Sequence, residues 1–332
     1  MIRIHMPLGS HRKNYRETAR RQLRCVVSLA FLLSLGLFCR VSQGEVEPTP
    51  AGEAASNRGD PEVVARLEDD DLSANKSLQS LEEVLLFQPV VHPSGLDWDA
   101  AHSGGADVFF RSKDGTRLHG WYCPVSKPRG SVLYLHGSTG NVTHCRDHLT
   151  LWKKLGLSVM TFDYRGYGQS EGGPTVDGVV ADAFAARTYL ARTDGISEKA
   201  VILHGRDLGG AIAAQLAAEE SPRAMILEST YSSYRDLAHF HVPGESTLVP
   251  KHQLNSVEAL HCYEGPLLQA HGNADTVVPY ILGKRLFDEA HTSKEQPKEF
   301  IVLRGRNHSD PLPANFEGVV DNFLKHLIST QR

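Results

Sequence analysis

One turn constrains this chain more than any other feature. An apolar run beginning Val201-Ile202-Leu203 ends in Gly205-Arg206-Asp207-Leu208-Gly209, and a stretch of small residues follows from Gly210-Ala211. The G-x-D-x-G spacing predicts a sharp strand-to-helix turn, because glycine permits close backbone packing where torsions are strained. Such a turn lifts the residue between the glycines to the top of a sheet. Asp207 is therefore the first candidate site residue.

The rest of the chain supplies that sheet. Short apolar segments read as strands at Ser131–His136, Ser158–Tyr164, Val201–Gly205, Ala224–Glu228, Pro266–His271 and Glu299–Arg304. Helical periodicity falls between them, near 143–155, 176–193, 208–219, 280–290 and 313–328. Apolar strands alternating with amphipathic helices predict an α/β fold with a mostly parallel central sheet flanked by helices. A hairpin is expected over Asp107–Pro124 around Asp114-Gly115, and a short helix over Ser77–Phe87 with Leu81, Leu85 and Leu86 as its apolar face.

Residues 1–44 read differently. A basic stretch from Arg3 to Arg24 precedes an apolar run from Val26 to Phe38, and Ser42-Gln43-Gly44 is a small-residue cleavage site. This is the pattern of an export signal or an N-terminal anchor, with Arg20-Arg21 resembling a twin-arginine signal. It predicts an exported protein, periplasmic or extracellular, with membrane association through residues 26–38 if the segment stays attached. Residues 45–77 are acidic and rich in Pro, Ala, Ser and Asn, as expected of a flexible linker. Residues 78–332 form the folded domain. Residues 1–44 carry eight Lys and Arg against the single acid Glu17, so without them the net charge of −4 becomes −11. That excludes an electrostatic footprint for nucleic acid. Three cysteines then remain, Cys123, Cys145 and Cys262, too few and too odd for a disulfide framework. Sequons at Asn75, Asn141 and Asn307 are read as unused, since two of them lie beside candidate site residues.

Ligands on parallel sheets bind beyond the carboxyl ends of the strands. After the first core strand comes His136-Gly137-Ser138-Thr139-Gly140-Asn141, a turn able to aim the Ser138 N–H at the site. The Leu208 N–H, next to Asp207, is its partner in an oxyanion hole. Asp275 lies on the turn after the Pro266 strand, and His308 on the loop after the last strand. Glu228, ending the Ala224 strand, is the rival acid. Asp163 and Arg165 are read as a structural pair. His239 and His241 lack a third ligand at metal spacing, so no metal and no cofactor is expected. The partner expected is a small-molecule substrate.

Together these motifs resemble the α/β-hydrolase superfamily, in its compact prolyl-oligopeptidase-like or serine-aminopeptidase-like esterase branch. The resemblance rests on the F-x-P at Phe87, Asp114-Gly115-Thr116, H-G-x-x-G-N at His136 and D-Y-R-G-Y-G-x-S-E-G at Asp163. The elbow, L-E-S at Leu227 and H-G-x-x-D-x-x-V-P at His271 complete it. It implies a minimal cap and, in the order nucleophile, acid, histidine, the triad Asp207, Asp275 and His308. The branch carries Ser at the elbow, in G-R-S-L-G-G, and this chain carries Asp207. A carboxylate attacking an ester carbonyl makes an anhydride. Attack on a saturated carbon makes an alkyl ester that His308-activated water can cleave. The sequence leaves three expectations: a hydrolase of small ester-type substrates, a dehalogenase- or epoxide-hydrolase-like enzyme, and a catalytically silent binding protein. Haloalkane dehalogenases and epoxide hydrolases have a helical cap. Here only residues 232 to about 265 separate the relevant strands. The nearby Tyr231 and Tyr234 are read as packing.

Overall fold

The structure, a computed structural model, describes residues 78–329 apart from Ser80, Val84, Ser94 and Cys262. The segment read as an export signal, the linker expected over residues 45–77 and the Asn75 sequon lie outside the described residues. In chain order the strands are β1 (Gln88–Pro89), β2 (Ala106–Arg111), β3 (Arg117–Cys123), β4 (Ser131–Leu135) and β5 (Thr139–Gly140). They continue with β6 (Ser158–Phe162), β7 (Val201–Arg206), β8 (Ala224–Glu228), β9 (Leu267–Gly272) and β10 (Lys298–Leu303). Among the described residues after β1, the α-helices are α1 (Arg146–Lys154), α2 (Val176–Asp194), α3 (Leu208–Glu219), α4 (Tyr234–His241), α5 (Ser256–Ala259), α6 (Tyr280–Glu289) and α7 (Phe316–Ser329).

Eight strands form one sheet in the order β10-β9-β8-β7-β4-β6-β3-β2. Neighbours run parallel except at β3, which is antiparallel to both β2 and β6. The hairpin expected from Asp114-Gly115 is present, with Arg111 paired to Arg117. It also extends the main sheet through β3 and β6.

Both faces of the sheet are covered, and the strand sequences show why. Along β4, Leu133 and Leu135 enter one core with α2 and α3, while Val132 and Tyr134 enter the other with α1 and α7. Successive strand residues point to opposite faces. A strand covered on both sides must therefore be apolar at nearly every position, as β4 and β8 are and as β7 is over residues 201–203. Each fully buried large aliphatic or aromatic side chain contributes roughly 1.5–3 kcal/mol.

Helices start where side chains satisfy their free N–H groups. Thr175 caps α2 by accepting from Gly178, and Ser233 caps α4 by accepting from Asp236. α2 ends at Gly195, whose left-handed φ of 65° closes the C-terminal turn. Among the described residues between β8 and β9 the chain makes only α4, a turn of 3-10 helix at Ser246–Leu248, and α5. This is the minimal cap. Among the described residues no helix is long and apolar enough to cross a membrane.

Candidate functional site

The elbow has the geometry its glycines predict. Asp207 sits between β7 and α3 with φ 52° and ψ −120°. That conformation costs a residue with a Cβ about 1–3 kcal/mol. The surroundings hold it in place: the Asp207 N–H donates to the Glu228 carbonyl at 2.9 Å, and Thr230 Oγ1 donates to the Asp207 carbonyl at 2.7 Å. Gly209 is required by close approach. A Cβ there would stand 2.0 Å from the Leu135 carbonyl oxygen.

The Asp207 carboxylate points at the turn after β4. Its Oδ2 accepts the Ser138 N–H at 2.9 Å and the Ser138 hydroxyl at 2.7 Å. Gly137 lets the carboxylate lie against this turn, since a Cβ at Gly137 would be 3.0 Å from Oδ2. Leu208 is the first residue of α3, where N–H groups have no acceptor within the helix.

His308 faces the same carboxylate oxygen, with Nε2 4.0 Å from Asp207 Oδ2. Its Nδ1 pairs with Asp275 Oδ2 at 2.9 Å. Asp275 Oδ1 accepts the N–H groups of Val277 and Val278 at 2.9 and 2.8 Å. The residue is thus both a turn cap and the partner of His308. Burial pushes the Asp275 carboxyl up, but the hydrogen bond and charge of His308 outweigh it and hold the group below its ordinary value. The two loops are stitched together: Asn273 Oδ1 accepts from Gly305, and Asn307 Oδ1 accepts from Thr276. The structure therefore brings Asp207, Asp275, His308, Ser138 and Leu208 to one end of the sheet.

The rival acid is elsewhere engaged. Glu228 Oε1 pairs with His204 Nε2 at 2.7 Å, and Oε2 with His148 Nε2 at 3.2 Å. Burial pushes Glu228 up, but the two histidines outweigh it and hold the carboxyl well below its usual range. The three ligand atoms of His148, His204 and Glu228 lie within 4.8 Å of one another, as a metal site would require. The tautomer argues against that use. Trp152 Nε1 donates to His204 Nδ1 at 3.0 Å, so the hydrogen of a neutral ring sits on Nε2 and points at Glu228. Burial pushes His204 down, which favours that neutral ring.

Several residues of the site were not singled out by sequence. Arg206, the variable residue of the elbow motif, donates through Nη2 to the His308 carbonyl. It is the cross-strand partner of Glu228. Tyr167 donates to the Ser138 carbonyl at 2.8 Å and Tyr164 to the His136 carbonyl at 2.9 Å. β1 pairs in parallel with β5, and the chain continuing from it bonds to Gly168, so the Phe87 segment braces two site loops at once. The tyrosines and this segment lie in motifs that carried the family resemblance. Their contacts give those motifs a physical purpose.

Asp163 and Arg165 do not pair with each other. Asp163 binds His119 Nδ1 at 2.8 Å, and Arg165 binds Asp182 and Asp114 at 2.7 and 2.9 Å. Asn141 is fully buried, with its amide nitrogen donating to the Val90 carbonyl. That geometry leaves no room for a glycan. Cys123 and Cys145 are free and buried. Cys262 lies outside the described residues. His241 donates to the Val277 carbonyl and His239 contacts Ser246 Oγ.

Known proteins resemble this chain in sequence and in fold. The family model for serine aminopeptidase, S33, matches residues 126–262. An uncharacterised protein of Mycobacterium tuberculosis is 33% identical over 233 residues, covering 68% of this chain and 80% of the relative. The α/β-hydrolase domain-containing protein WAV2 of Arabidopsis thaliana is 31% identical over 223 residues, covering 61% of this chain and 72% of that protein. Among solved structures, the Pyrococcus furiosus esterase Pf2001 superposes with a TM-score of 0.57 at 22% identity, over 72% of this chain and 98% of that one. The chain belongs to the α/β-hydrolase superfamily, and its class is hydrolase.

Proposed function

We propose that the protein is an exported hydrolase of small ester-type substrates, working at Asp207, His308 and Asp275. One observation carries this reading: His308 is held by Asp275 at 2.9 Å and presents Nε2 4.0 Å from the elbow carboxylate. An imidazole fixed by an acid on one nitrogen is poised to move protons with the other. The Ser138 N–H and the N-terminus of α3 at Leu208 act as oxyanion donors. The name of the Pyrococcus esterase agrees with an ester substrate. The basic and apolar pattern of residues 1–44 supports export. The purified protein is tested on a panel of short-chain esters. Turnover is expected, and His308→Gln lowers it roughly a hundredfold or more. A panel left untouched by the natural protein would refute the ester reading.

A second reading is favoured by the two Ser138 donors on Asp207 Oδ2. If Oδ1 displaces a leaving group from a saturated carbon, Oδ2 becomes the carbonyl oxygen of the alkyl ester. It then already sits among donors when His308-activated water attacks. Single turnover of haloalkanes or epoxides in heavy-oxygen water is the test. This route puts the label into Asp207, and label confined to the product excludes it.

A further inference from the structure

We infer that the nucleophile for ester cleavage is the hydroxyl of Ser138, with the elbow carboxylate of Asp207 as its base. This rests on the ester reading above and removes its chief chemical difficulty. Asp207 attacking an ester carbonyl would form an anhydride. A serine hydroxyl attacking the same carbon forms an ordinary acyl ester, and one is already in contact with Asp207.

The geometry is that of a nucleophile paired with its base. Ser138 Oγ donates to Asp207 Oδ2 at 2.7 Å, the short distance of a charge-assisted O–H bond. The base is itself oriented, because the same oxygen accepts the Ser138 N–H at 2.9 Å. Its backbone is fixed by the Thr230 hydroxyl and the Glu228 carbonyl. His308 Nε2 stands 4.0 Å from that oxygen, with Asp275 behind it. Ser138 and Asp207 are both buried, at 9% and 5% exposed. The aspartate side chain is longer than serine. The elbow therefore reaches to the turn after β4 and engages the Ser138 hydroxyl there.

The step balances. Ser138 Oγ bonds to the acyl carbon as its proton passes to Asp207 Oδ2. The carbonyl oxygen becomes an oxyanion near the N-terminal N–H groups of α3, the positive end of the helix. The intermediate collapses, the bond to the alcohol oxygen breaks, and the alkoxide leaves with the proton held by Asp207. The products are acyl-Ser138 and an alcohol. Water then attacks the acyl carbon while His308 takes its proton and returns it to Ser138 Oγ, which releases the acid. Nothing is oxidised or reduced.

The full-length natural protein is treated with a fluorophosphonate, and the modified peptide is mapped. The label is expected on Ser138. Ser138→Ala should lose the label and lower ester turnover at least a hundredfold, and Asp207→Asn should slow labelling of Ser138 at least tenfold. Ser138→Cys should become the site of iodoacetamide alkylation. Label on another residue overturns the inference, as does ester turnover that survives Ser138→Ala by more than half. The latter leaves the ester reading standing. Ser138 labelled in a protein that cleaves no ester of the panel supports the serine and overturns only the substrate reading. No label and no turnover overturn both. Mapping in the natural chain decides the point even if a variant fails to fold.

Discussion

Asp275 shows how one side chain can serve both fold and chemistry. Its two oxygens are divided between the Val277 and Val278 N–H groups and the His308 ring. Asp275→Asn should keep a cap acceptor but lose the charge that fixes the ring's tautomer. Ester turnover should fall on the order of a thousandfold or more, with a smaller change in melting temperature. The same carboxyl sets an acid limb of stability. Its folded-state value is lowered, so its contribution is present above the unfolded value of 3.8 and is lost as pH falls through the folded value. Denaturant midpoints at acid pH should therefore decline less steeply in Asp275→Asn than in the natural protein. Asp275 and His308 were legible in the sequence because strand-end order narrows 17 histidines to one. The Ser138 hydroxyl was not. Sequence gives a turn serine its N–H toward the site, but the 2.7 Å contact depends on how far a side chain 69 residues away reaches.

At the scale of elements, the elbow is the least forgiving part of the fold. Gly209→Ala would drive a methyl to 2.0 Å from the Leu135 carbonyl and 2.6 Å from that of His136. Neither backbone atom can move without displacing the turn that carries Ser138. The expected loss is at least about 2 kcal/mol, read as a shift in denaturant midpoint. Gly318→Ala in α7 is the control, since a Cβ there meets nothing within 4 Å. That change should stabilise by roughly 0.5–1 kcal/mol. The strands were readable because burial on both faces gives β4, β7 and β8 unbroken apolar runs, at residues 132–135, 201–203 and 224–227. The β1–β5 pair was not readable. It has two residues on each side, too few for any period, and one of them is Pro89.

Across the whole molecule, buried charge networks tie the elements together. His119 is fully buried and bonds Asp163 through Nδ1 and Asp107 through Nε2, both at 2.8 Å. The network joins β2 and β3 to the loop after β6. Burial pushes the His119 ring down, but the two aspartates outweigh it and raise it above 6.5. Its stabilising contribution is therefore complete below 6.5 and is lost as pH rises through the raised value. His119→Gln should flatten the decline in denaturant midpoint from neutral to alkaline pH. The loop bearing His308 is likewise tied, because Arg206 grips its carbonyl from the end of β7 while Asp275 holds its ring. A loop fastened at both backbone and side chain to the central sheet has no cheaper way to open than unfolding the sheet itself. Warming should therefore not switch this protein off before it melts. The temperature of half-inactivation should coincide with the calorimetric midpoint, and Arg206→Met should pull the first below the second.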